Sequence, residues 1–168
     1  QKYILRETAP VRIQRHYLDS FDWRLYQKGY VCGTNNHADE HRFFIFRKDT
    51  GSNLYEFSLD EIPKFAQDIP HKACHKLLSD ILGVRALITV AILYIKRKQL
   101  LVLDRESKTL ATLQAENYSL NGQGNHGRFS ARLIVFPIKG YQKIFQDIVQ
   151  SISQHLKLAH ANNTLFAE

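Results

Sequence analysis

The chain has 168 residues, 44% apolar and 23% charged, an ordinary globular composition that excludes collagen, coiled coil and intrinsic disorder. Twenty-three Lys and Arg against sixteen Asp and Glu give a net charge of +7, which favours anionic partners: nucleic acid, nucleotides, polyphosphate or an acidic membrane surface. The longest apolar run, Leu87 to Ile95, stops at Lys96-Arg97-Lys98. It is half a membrane span, so no transmembrane helix is expected.

Val11 to Asp19 reads as an extended segment. Phe21 to Tyr26, closed by Lys28-Gly29, reads as a short helical turn with a glycine stop. Tyr30-Val31-Cys32 starts a short strand, and the polar run from Thr34 to Glu40, with Asn35-Asn36, reads as a turn. His41 to Lys48 and Asn53 to Leu59 form a hairpin about Asp49-Thr50-Gly51-Ser52. Pro63 to Leu82 has helical spacing at Ala73, Leu77, Leu78 and Ile81, with Gly83 at the C-terminal cap. Leu87 to Asp104 is long and β-rich with a basic break at Lys96 to Lys98. A turn at Arg105 to Lys108 leads to a returning strand, Thr109 to Glu116. Asn121 to Gly127 reads as a flexible loop and Ala131 to Ile138 as a strand. Tyr141, Ile144, Phe145, Ile148, Val149, Ile152 and Leu156 make the apolar stripe of a terminal helix. Hairpins dominate, so the class is α+β, and seven or eight strands suit a barrel or a strongly curved sheet.

Cys32 and Cys74 form no C-x-x-C pair and are too few for a disulfide framework; they read as small buried residues in a reduced, cytoplasmic protein. The chain starts at Gln1 and contains no Met, so upstream sequence is expected, and no signal peptide is legible. Gly122 to Gly127 spells G-x-G-x-x-G, but a strand follows where a dinucleotide fold needs a helix, so it reads as a hairpin loop. His37, Asp39 and His41, and His71, Cys74 and His75, lack the converging ligand sets of a metal centre and read as loop and helix-face residues. The sharper signal is cationic. Arg12 and Arg15, then Arg42, Arg47 and Lys48, then Lys96, Arg97 and Lys98, then Arg132 and Lys139 fall on or near separate strands. Alternate residues of a strand share a face, and arginine forks suit phosphate oxygens.

Tyr17-Leu18-Asp19-Ser20-Phe21-Asp22-Trp23-Arg24-Leu25-Tyr26, ending at Gly29, resembles a segment of CYTH domains, nearest the version found upstream of CHAD domains. Leu82 to Leu87, Leu103-Asp104 to Lys108-Thr109, and Pro137 to Tyr141 keep the same order. The resemblance implies the triphosphate tunnel fold: an antiparallel eight-stranded tunnel-like β-barrel with flanking helices. Members bind triphosphate-bearing substrates through Lys and Arg of the lumen. Active ones hold Mg2+ or Mn2+ on lumen carboxylates and open on an E-x-E-x-K motif. That motif is not present here: either Lys2-Tyr3-Ile4-Leu5 is its tail with the carboxylates lost upstream, or it is absent altogether.

The chain is therefore expected to be a bacterial, cytoplasmic CYTH-like domain over residues 1–158, followed by a polar tail or linker over 159–168. It is expected to bind triphosphate, polyphosphate or a nucleotide with lost or weak catalysis. Arg15, Arg47, Lys96, Lys98 and Arg132 are the expected phosphate contacts, and Glu116 is the candidate metal ligand. Tyr17, Asp22 and Trp23 are expected to hold the fold. A CHAD-type domain is the implied protein partner; a membrane and sequence-specific nucleic acid are not expected. The alternatives are an active metal-dependent triphosphatase lacking its opening strand, or a non-catalytic interaction domain whose terminal helix packs on a partner.

Overall fold

Alternating polar and apolar residues, broken by short turns, give eight strands and three helices in the computed structural model, which describes residues 3–120 and 131–156. In chain order they are β1 (Ile4–Glu7), β2 (Val11–Asp19), α1 (Arg24–Gln27), β3 (Tyr30–His37), β4 (Glu40–Arg47), β5 (Asn53–Leu59), a 3₁₀ turn at Ala66–Asp68, α2 (Lys72–Leu82), β6 (Ile88–Leu103), β7 (Thr109–Ser119), β8 (Arg132–Pro137) and α3 (Gln142–Leu156). The strand order is β5-β4-β3-β2-β6-β7-β8, with β1 also on β6. The class is α+β with an antiparallel sheet, as expected. No described helix is long and apolar enough to cross a membrane. The G-x-G-x-x-G stretch and the 159–168 tail lie outside the described residues.

Two compact units divide the chain, the boundary falling within β2 and β6. The first is built on Ile13–Tyr94. There Leu18 of β2, Cys32 of β3, and Phe43 and Ile45 of β4 form one core with Cys74, Leu78 and Leu82 of α2. Burial pushes the Cys74 thiol up to about 12, and Cys32 rises well above its usual value. His71, one of the two histidines flanking Cys74, caps α2: its Nδ1 accepts from the Cys74 N–H at 3.3 Å. Gly83 closes the helix with φ at 60°, a left-handed turn that a Cβ disfavours.

Three expectations need correction. Asn35-Asn36 is strand, not turn: β3 runs on to His37, and the chain reverses at Ala38 and Asp39. Each asparagine finds a cross-strand partner, Asn35 Oδ1 accepting from Arg15 Nε at 2.7 Å and Asn36 Oδ1 lying 3.0 Å from His41 Nδ1. These bonds replace the local ones that draw asparagine into turns. The basic run at Lys96 to Lys98 does not interrupt β6, which stays extended for 16 residues. The helix over Pro63 to Leu82 begins only at Lys72, after a 3₁₀ turn; Pro70, with its fixed φ and missing N–H, stands just ahead of it.

Asp19 shows how the Tyr17-to-Gly29 segment holds its shape. This buried carboxylate accepts the N–H groups of Ser20 and Leu25 on one oxygen (2.7 and 2.9 Å) and Tyr26 on the other (3.0 Å). The four-residue α1, too short to persist alone, is thereby tied to the end of β2. His16 is less well provided for. Neither ring nitrogen is in contact with water, and neither has a hydrogen-bond partner. Burial, with the charge of His41, lowers its pKa from 6.5. The unfolded chain therefore takes up this proton first, and the stability present above pH 6.5 is lost as pH falls below it. Urea midpoints are expected to drop between pH 7.5 and 5.5, and His16→Gln to shrink that drop.

The second unit comprises residues 3–12, Ile95–Ser119 and 131–156. Val102 of β6 and Ala111 and Leu113 of β7 are buried with Ile148 of α3, and Ile144, Ile152, Leu133 and Val135 pack around them. Ile144, Ile148 and Ile152 of the terminal helix thus pack on strands of their own unit, while Leu156 at its end is exposed.

Candidate anion-binding site

Strand alternation decides which cations share a face. In the first unit, register sets Arg15 of β2 beside Asn35 of β3 and Arg42 of β4. All three lie on the face opposite the α2 core. Arg15 sits 5.5 Å above the Phe44 ring, and Arg42 Nε pairs with Glu56 at 2.7 Å. Tyr17 and Phe44, on the same face, are nearly buried and meet edge to face at 6.3 Å. Arg47 is in phase with Phe43 and Ile45 and so belongs to the α2 side. It is exposed and pairs with Asp49 of the turn at 3.2 Å, which raises its pKa.

In the second unit the phase of β6 separates three consecutive cations. Lys96 and Lys98 alternate with Leu100 and Val102, the residues that face α3. Both lysines are exposed, and Lys98 pairs with Glu7 of β1. Arg97 points the other way, onto Glu116 of β7. Glu116 is 4% exposed. Its Oε1 accepts from Arg97 Nε at 2.8 Å and Gln114 Nε2 at 2.7 Å, and its Oε2 from the Tyr118 hydroxyl at 2.5 Å. Arg132 of β8 is its direct cross-strand neighbour, within the roughly 5 Å Cβ separation at which opposite charges attract.

The structure thus brings together Glu116 and Arg132 of the expected residues and adds Arg97, Gln114 and Tyr118. Arg97 was legible as a cation but not as the inward member of its triplet. Its phase with Leu93 and Ile95, both buried, was the available signal. Glu116 fits poorly as a metal ligand, because both oxygens already accept from protein donors. The described residues also hold no group of three His, Cys, Asp or Glu that could coordinate an ion. Chemically, the cluster sets two arginines, one ion-paired and one a cross-strand neighbour, beside one desolvated carboxylate. A net positive charge in a partly dry setting attracts phosphate more strongly than the same charge in water.

No known protein family profile matches the chain, and no curated protein matches it. Among solved structures it is similar to a Bacillus halodurans protein described as a "putative adenylate cyclase", at 12% identity and a TM-score of 0.55, over 96% of this chain and 92% of that one. At that distance the likeness shows the fold alone: an α+β, eight-stranded antiparallel architecture of the CYTH-like tunnel type.

Proposed function

We propose that this chain binds phosphate-rich anions (triphosphate, polyphosphate or a nucleotide) through arginines on the sheet faces, with hydrolysis lost or weak. The carrying observation is the 2:1 ratio of arginine to carboxylate at Arg97, Arg132 and Glu116. Arg15 and Arg42 supply further cations on one sheet face of the first unit, while Arg47, Lys96 and Lys98 stay exposed and contribute to the surrounding field. The name of the Bacillus structure supports a nucleotide among the ligands. The sequence resemblance supports a CHAD-type partner and a bacterial cytoplasmic setting. Weak catalysis fits a Glu116 already committed to three donors, since phosphoryl transfer depends on groups that neutralise developing charge and position water.

Calorimetry with sodium tripolyphosphate tests the reading. Binding is expected to weaken steeply with salt, and Arg97→Ala and Arg132→Ala each to lower affinity about tenfold or more, the value of a lost charge-assisted hydrogen bond. Phosphate release in Mg2+ or Mn2+ is expected to stay near background. Affinity indifferent to salt and to both substitutions would dismiss it.

A further inference from the structure

A second set of features lies around α1, in the first unit, and shares no residue with the Arg97 cluster. Phe21 is 65% exposed, Trp23 48% and Tyr26 40%. Isolated exposed rings need no explanation, but a contiguous group does. Here Trp23 and Tyr26 meet edge to face at 6.1 Å with Lys48 3.8 Å above Tyr26, and Phe21, two residues before Trp23, carries Arg85 5.0 Å above its ring. Arg24 and Arg85 share Asp22 as counter-charge, at 3.0 and 3.7 Å. Trp23 holds this place in a left-handed backbone conformation, φ 57°, which a bulky residue disfavours. Asp19 below pins the turn. The expectation that Trp23 serves packing does not account for its exposure.

We propose that this surface binds single-stranded nucleic acid without sequence preference. Rings accept bases by stacking, and neighbouring cations take the phosphates; together they form the stacking-and-charge platform that single strands use. Here Arg24 and Arg85 share one carboxylate, Asp22, and Lys48 over Tyr26 is a third cation, so the patch carries excess positive charge. A protein partner is the less suited occupant. The centres of protein interfaces are depleted in charge, whereas cations here sit directly on two of the three rings. The only aliphatic side chain beside them in sequence that is widely exposed is Val84. The basic net charge of the whole chain supports approach of a polyanion.

Trp23 is the chain's one tryptophan, so its emission reports on this surface alone. Titration with a fluorescein-labelled dT15 strand is expected to quench Trp23 and raise label anisotropy over the same range. A polyphosphate of matched charge is expected to leave Trp23 emission unchanged. Phe21→Ala, and Trp23→Asn, which keeps a residue tolerant of the left-handed backbone, are each expected to weaken dT15 binding about tenfold. Lys48→Gln is expected to flatten the salt dependence. The proposal is overturned if dT15 binds without quenching Trp23, or if Phe21→Ala and Lys48→Gln both bind as well as the parent. It is equally overturned if an alternating Glu-Leu peptide displaces dT15 and binds more tightly, which would make the surface a protein-docking site.

Discussion

Glu116→Ala is expected to lower the stability of the chain by about 3–5 kcal/mol, the range for removing one partner of a buried ion pair. Three donors lose their acceptor at once: Arg97 Nε, Gln114 Nε2 and the Tyr118 hydroxyl. Gln114 and Tyr118 are themselves nearly buried, so water does not readily replace the carboxylate. At about 2–4 °C per kcal/mol for a chain of this size, the midpoint falls by roughly 10 °C in a thermal melt. Glu116→Gln separates the charge from the acceptor. It keeps one oxygen for hydrogen bonding, so its stability loss is smaller. Its effect on ligand runs the other way: with the internal anion gone, Arg97 and Arg132 face a triphosphate without competition, and affinity is expected to rise several-fold by calorimetry. A Glu116→Gln variant that bound triphosphate more weakly would show that the carboxylate assists the ligand instead of rivalling it.

Gly33→Ala is the second large effect. A Cβ at Gly33 would lie 2.3 Å from the His16 carbonyl oxygen and 2.7 Å from Cζ of Phe44. The ring can turn aside; the carbonyl belongs to the β2–β3 ladder and cannot move without breaking it. The cost is expected to be about 3 kcal/mol, the upper end for overpacking, read as a shift in urea midpoint at unchanged slope. Gly33→Ala with Phe44→Leu is expected to recover only part of that loss. Full recovery would show that the ring, not the backbone, set the spacing between these strands.

These two positions also show where the sequence was readable and where it was not. The α+β class, the hairpin about Asp49 to Ser52 and the terminal helix followed from periodicity and turn residues, because each is specified locally. Asn35 and Asn36 misled because their partners, Arg15 and His41, are supplied by neighbouring strands that a linear reading does not juxtapose. The same limit governs the cations. Alternation shows that Lys96 and Lys98 share one side and Arg97 the other, but it does not say which side a helix will cover. That is decided by Leu100 and Val102 packing under Ile148, a contact between residues far apart in the chain. Glu116 and Arg132 were chosen on the resemblance and lie opposite each other in register. Gln114 and Tyr118 offered no signal beyond being polar on the same strand face.

The two sulfurs sit where neither base nor oxidant readily finds them. A thiolate is the reactive form, and both groups are enclosed in the core and held protonated far above neutral pH. Alkylation or oxidation of these thiols in native molecules must therefore await opening of the α2 layer, and its rate follows how often that layer opens.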